Sequence, residues 1–390
     1  MDVVREYLGR NVRQYGIVAA LVVIVLLFQA MTDGRLLSPN NVASLIQQNA
    51  YVMILAIGMV MVIVAGHIDL SVGSVVAFAG GLCAIMMNHW HWSVPVAIVA
   101  TLVVGALVGV WQGFWIAYVG IPAFIVTLAG MLIFRGLAIV LVGETVAPLP
   151  NSFNDIGNGS LPNFLGFAGN LDVVTVVIGV IAVLGLVWSQ FRSRRNLVRH
   201  NLSVEALPVF VGKLVILAAL IALVTYWLAL SKGGTPIVLV ILGVLVLGYT
   251  FVLSRSTFGR HIYAVGGNRS AAILSGVSAR RTDFAIFVNM GVLASVAAIV
   301  TTSRAGAGVA AAGTNYELDA IAACFIGGTA VAGGVGKISG AMIGALIMGV
   351  LNMGLSIMSV DAAWQQTIKG LVLLLAVALD IIGKRRSSLT

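Results

Sequence analysis

Charge is what this chain has least of. Asp, Glu, Lys and Arg make up only 9% of its 390 residues, while 60% are hydrophobic; soluble domains carry about a quarter and about half respectively. No polar stretch is long enough to build a soluble domain, and few runs alternate as the strands of a membrane barrel do. Cysteine is nearly as scarce. Cys83 and Cys324 lie far apart in apolar segments, make no motif, and read as small buried hydrophobes.

Reaction chemistry is missing as well. The glycine-rich run GGTAVAGGVGKISG invites a phosphate-loop reading, but Val331 stands where the Walker pattern needs Gly and Ile338 where it needs Ser or Thr. His89 and His91 flank Trp90 with no third ligand nearby, which fits an aromatic belt at a membrane boundary better than a metal site. There is no nucleophile motif and no paired acid and base, so no catalytic residue and no metal ligand is assigned. A chain of this kind most often moves something across a membrane.

What the chain has in quantity is apolar length. About twelve stretches approach or reach the roughly 18 to 20 residues that cross about 30 Å of hydrocarbon: 16–33, 43–65, 70–88, 94–117, 121–142, 172–191, 209–230, 236–253, 284–303, 318–333, 338–358 and 364–383. The fold class is an all-α polytopic membrane protein, because only helices satisfy their own backbone in lipid. It reads as a single transmembrane domain over 1–390.

The net charge of +9 reports topology. With the N-terminus inside, the inside segments hold Arg5, Arg10 and Arg13, then Arg192, Arg194, Arg195 and Arg199, then Arg255, Arg260, Arg269, Arg280 and Arg281, then Lys337, Lys384, Arg385 and Arg386. The outside segments hold Arg35, Lys232, Arg304 and Lys369. This is the positive-inside asymmetry. It places both termini in the cytoplasm, requires an even span count and leaves no nucleic-acid footprint. The first apolar run lacks a small-residue cleavage site and reads as an uncleaved helix. The basic stretch 191–205 reads as a cytoplasmic linker anchored at lipid headgroups, and 145–172 as an outside loop of turn chemistry.

Glycine placement suggests how the spans pack. Gly105, Gly109 and Gly113 share one face of the fourth span, and Gly340 and Gly344 one face of the eleventh; such faces let helices approach closely inside one chain. Charges within spans are costly. AGHIDLSVGS places His67 and Asp69 at a tight turn or helix break, with Asp69 able to cap the next helix through the amide of Ser71 or Val72. Arg135 sits in mid-span and must face helices or water. Glu317 and Asp319 open the tenth span, where the positive end of a helix favours them.

One stretch does not belong with its surroundings. GRHIYAVGGNRSAAILSGVSARRTD, residues 259–283, is basic and looks folded. Asn268 is a good N-cap and Gly276 a good stop, Ile273 and Leu274 give a small apolar face, and the helix between is too short to stand alone. It needs the membrane domain behind it or a partner in front.

IDLSVGS at 68–74, PAFIVTLAGMLIFRG at 122–136, GRHIYAVGGNRSAAILSGV at 259–277 and YELDAIAACFIGGTAVAGGVGKISGAMIGALIMGVLNMGL at 316–355 together resemble the membrane subunit of bacterial ABC importers for monosaccharides. The length is most similar to the xylose and multiple-monosaccharide branch. The resemblance implies two permease copies around one pore, a cytoplasmic ATPase with two nucleotide-binding modules, and a periplasmic sugar-binding protein, all in the inner membrane system. ATP and Mg would belong to the ATPase, with no cofactor on this chain. It implies that 255–283 is a coupling loop in which Gly267, Asn268, Ala271, Ala272, Ser275 and Gly276 meet the ATPase, with Ile273 where relatives often carry Arg. A sugar path needs hydrogen-bonding groups; the candidates are Asn49, Asp69, Ser71, Asn289, Glu317, Asp319 and Asn352, which could equally be interhelical ties. The competing reading is a twelve-helix ion-coupled secondary transporter with 191–205 joining its halves. The few membrane carboxylates and the lack of matching charged loops weigh against it.

Overall fold

The computed structural model describes residues 12–202 and 204–387; Arg5 and Arg10 of the basic amino-terminal segment lie outside the described residues. The fold is mostly helical. In chain order the helices are α1 (Val12–Met31), α2 (Pro39–Val64), α3 (Val72–Asn88), α4 (Val94–Phe114), α5 (Ala123–Val142), α6 (Asn151–Asn158), α7 (Val173–Arg199) and α8 (Leu207–Leu230). They continue with α9 (Ile237–Arg255), α10 (Thr257–Gly267), α11 (Arg269–Leu274), α12 (Ala279–Ala305), α13 (Tyr316–Ile326), α14 (Ile338–Ile357) and α15 (Ala362–Ser387). A π-helical segment, Trp115–Val119, prolongs α4. Prolines in the first turn start α2, α4 and α8, where the missing N–H costs nothing.

Among the described residues, eight helices are long and apolar enough to cross a membrane: α2, α4 with its π-helical end, α5, α7, α8, α9, α12 and α14. The apolar part of α1 and all of α3 are shorter. The molecule is a multi-pass membrane protein, built around α2: 83% of the residues in its apolar stretch are buried, against 6% in α8. The glycine faces act inside the chain. A Cβ on Gly105, Gly109 or Gly113 of α4 would strike the backbone or side chains of α12 at Gly291, Ser295, Phe287 and Phe284, and one on Gly340 or Gly344 of α14 would strike the backbone of α13 at Ala323 or that of Gly327 just beyond it.

The connections fall into two groups at opposite ends of the bundle. At one end, Gly334 N donates to Val64 O at 2.8 Å, Gly266 lies against both, and Tyr263 Oη donates to Gly336 O at 2.6 Å. At the other, Asn88 Nδ2 bonds Pro148 O at 2.9 Å, Asn158 Nδ2 bonds Arg304 O at 2.9 Å, and Lys232 N bonds Asn40 Oδ1 at 3.1 Å. The first end carries α10 and α11.

Several sequence expectations change. The span expected over 318–333 stops at Ile326. Gly328, Gly333 and Gly334 adopt positive φ (88°, 79° and 72°), and Ala330 N turns back to Val335 O at 2.8 Å; this apolar run is too rich in glycine to stay helical. The expected 70–88 span begins only at Val72. The basic linker is mostly helix, since α7 runs on to Arg199. Arg192 covers the Trp188 ring at 5.1 Å and Arg194 the Phe210 ring at 4.9 Å, and cations suit a helix C-terminus. The 145–172 loop contains α6, whose Phe153 is fully buried and whose Gly157 lies on the α12 backbone. Lys369, counted with the outside charges, lies inside α15 against Asp319.

Candidate functional site

Two interrupted elements meet inside the bundle. After α2 the chain turns at Gly66 (φ 87°) and runs without helix from His67 to Ser71 before α3 begins. Asp69 Oδ1 accepts from Ser71 N at 2.8 Å and Ser71 Oγ at 2.6 Å, and Ser71 Oγ accepts from Gln112 Nε2 of α4 at 2.6 Å. Asp69 thus closes the turn into the helix start, as its position suggested.

The second interruption follows α12. Gly306 (φ 64°) ends that helix, and strand β4 (Gly308–Val309) pairs antiparallel with β1 (Thr145–Val146). A hairpin of β2 (Phe167–Ala168) and β3 (Leu171–Asp172) lies elsewhere in the 145–172 region. From β4 the chain follows α3 towards its first turn: Gly308 packs on Gly81 and Ala84, Gly313 on Gly73. Only glycine fits at Gly73 and Gly313, because a Cβ on either would overlap the other's carbonyl oxygen. Arg135 Nη1 donates to Ala310 O at 3.0 Å and Ala312 O at 2.7 Å, which satisfies carbonyls that leave regular structure here.

The N-termini of α3 and α13 therefore converge, and with them their positive dipole ends. Glu317, in the first turn of α13, lies over Gly73. Its buried Oε2 has no hydrogen-bond donor among the described residues. Asp319 in the same turn accepts from Tyr51 Oη at 2.7 Å and pairs with Lys369 Nζ at 3.3 Å. The Tyr51 and Tyr316 rings stack beside it, centroids 3.6 Å apart.

Asp69, Ser71, Glu317 and Asp319 are thus gathered around two helix starts. The other candidates are not part of this cluster. Asn49 Oδ1 accepts from Asn352 Nδ2 at 3.2 Å, tying α2 to α14, and Asn289 Oδ1 accepts from Tyr249 Oη at 2.5 Å, tying α12 to α9. Sequence reasoning missed Gln112, Tyr51, Tyr316 and Lys369 as members. The signal for Lys369 was a lone cation in an apolar run; the others carried none.

At the α11 end, the short helix has the caps expected of it. Asn268 Oδ1 accepts from Ala271 N at 2.9 Å. Gly276 (φ 86°) donates to Ile273 O and Val277 to Ala272 O, both at 3.0 Å, the paired bonds of a Schellman stop. Gly267, Asn268, Ala271, Ser275 and Gly276 are exposed, as are Ile273 at 53% and Leu274 at 89%. Ala272 differs: it is buried against Val265 and Ala279, since it lies on the face by which α11 is held. Arg269 pairs with Asp283 of α12 at 2.7 Å, and Asp283 also meets His67 Nε2 at 3.2 Å. The preceding Thr257–Gly267 helix was not anticipated; Ser256 caps it by accepting from Gly259 N at 3.0 Å.

A multi-pass apolar bundle whose interrupted helices bring their N-termini and carboxylates together is built as membrane permeases are. The chain belongs to such a family: residues 41–377 match the family described as branched-chain amino acid transport system / permease component. It is 44% identical over 378 residues to the xylose transport system permease protein XylH of Escherichia coli (strain K12), covering 97% of this chain and 94% of that protein. The XylH protein of Haemophilus influenzae is 42% identical over 378 residues, covering 96% and 98%. The ribose import permease protein RbsC of Escherichia coli (strain K12) is 32% identical over 368 residues, covering 94% and 93%. No solved structure matches the chain.

Proposed function

We propose that this chain is the transmembrane permease subunit of an ATP-driven importer, carrying xylose or a related pentose or hexose across the bacterial inner membrane. Two copies would enclose the path, with a periplasmic binding protein delivering sugar and a cytoplasmic ATPase with two nucleotide-binding modules supplying the energy. The naming of relatives for xylose and ribose transport supports the cargo class. The two-ended grouping of the connections supports twelve crossings with both termini on the α11 side, which the arginine distribution makes cytoplasmic.

The single observation that carries the reading is α11. A six-residue helix cannot persist alone, yet this one is capped at both ends and anchored through Arg269, while it presents Ile273 and Leu274 to solvent. An exposed apolar pair followed a few residues on by the exposed Arg280 and Arg281 is what a docking surface for a separate motor requires.

The test is Gly276→Pro, which is incompatible with φ of 86° and removes the Gly276 donor. Inserted protein should remain, and ATP-driven uptake should be lost. Uptake that persists in this variant would overturn the docking role of α11, and uptake that collapses with an uncoupler while ATP is held constant would replace this reading with an ion-coupled carrier.

A further inference from the structure

The outward faces of the bundle are not alike. α5, α7, α8 and α9 expose Val140, Ile181, Ile216 and Leu247, which suits hydrocarbon. The face between α13 and α15 instead opens a cavity of about 230 Å³ lined by Asn315, Asp319, Gln366 and Lys369 above an apolar floor that includes Ala322 and Met348. Gln366 and Lys369 belong to the first turns of α15, so this cavity lies in the half of the bundle away from α11. Hydrocarbon satisfies neither amides nor an ion pair, so the cavity must face water or protein.

Its chemistry narrows the ligand. Asp319 is 3% exposed and already holds Lys369 and Tyr51, so the pair is neutral as a unit. An anion or a cation would have to displace a partner from a buried contact, which is costly. A neutral polyhydroxyl ligand displaces nothing. It can bond the free donors and acceptors of Asn315, Gln366 and Lys369 and rest its apolar ring face on the floor. The volume of about 230 Å³ is many times what a single water needs, and it leaves room for one sugar ring.

We propose that the groove between α13 and α15 is a water-lined binding station for a neutral monosaccharide on the side of the bundle away from α11. This rests on the reading that the cargo is a sugar, and α11 plays no part in it.

The experiment places Gln366→Cys in the assembled transporter in proteoliposomes and exposes it to a charged, membrane-impermeant methanethiosulfonate. Cys83 and Cys324 are buried, so the unaltered chain is the blank, and Leu247→Cys is the lipid-facing control. Gln366→Cys should react about tenfold faster than the control, because the reactive thiolate needs water, and millimolar xylose or ribose should slow it severalfold. Gln366→Trp should fill the groove and stop uptake with the protein still inserted. Labelling as slow as the Leu247→Cys control overturns the water-lined groove. Fast labelling untouched by either sugar, together with normal uptake in Gln366→Trp, overturns the binding station. Labelling needs no ATP, so failure of the ATP-driven reading would appear separately, in the Gly276→Pro uptake assay.

Discussion

α11 and α13 are both too short to be stable helices by themselves, at six and eleven residues, and the chain holds them in opposite ways. α13 is held by enclosure. Seven of its residues are buried, its first turn rests on Gly73, and the loop before it is fixed by Arg135. α11 is held by its ends: an asparagine cap, a glycine stop, one buried alanine and one ion pair to Asp283. Enclosure fixes α13 within the bundle, and end-fixing leaves the side of α11 free. Damage at α13 should therefore appear as lost stability, and damage at α11 as lost coupling in an intact protein.

Arg135→Met should show the largest effect on stability. It strands the carbonyls of Ala310 and Ala312, at a cost of about 3 kcal/mol for charge-assisted bonds at a partly buried site, visible as a lower thermal midpoint in detergent and little inserted protein. Gly73→Ala comes next: its Cβ would overlap Gly313 O and Glu317 Oε2, and overpacking of this kind costs about 1–3 kcal/mol. Asn268→Ala should cost about 1 kcal/mol, confined to α11, read as faster amide exchange in 268–276 with the thermal midpoint nearly unchanged. Leu274→Asp should change stability by less than about 0.5 kcal/mol, as surface substitutions do, and yet reduce ATP-driven uptake most clearly of the surface variants. If Leu274→Asp transports normally while Asn268→Ala does not, the contrast between the two helices is wrong as drawn, and the cap itself is the working part.

The two helices also differ in how far sequence revealed them. α11 was legible because caps are local: Asn268 and Gly276 announce their roles through their own backbone preferences. The long helices were legible because apolar length is local too. α13 was read as a full span, since TAVAGGVG is apolar enough to continue one, and only its glycines at positive φ argue otherwise. The meeting of Gly73 with Gly313 pairs residues 240 positions apart, and no local preference encodes that. Asp69 and Glu317 were found as carboxylates where lipid should be, but no local signal marked the stacked Tyr51 and Tyr316. Ala272 was grouped with its exposed neighbours because which face of a six-residue helix is covered cannot be fixed without knowing what lies behind it.

The contact of α4 with α12 has a mechanical meaning. Gly105, Gly109 and Gly113 bring that helix onto its neighbour backbone to backbone, with almost no side chain between them. Side chains can switch rotamers and let helices slide; bare backbone cannot. These two helices must then move as one beam whenever the protein changes shape. Any change of shape must then be taken up elsewhere in the bundle, at contacts where side chains rather than bare backbone lie between the elements.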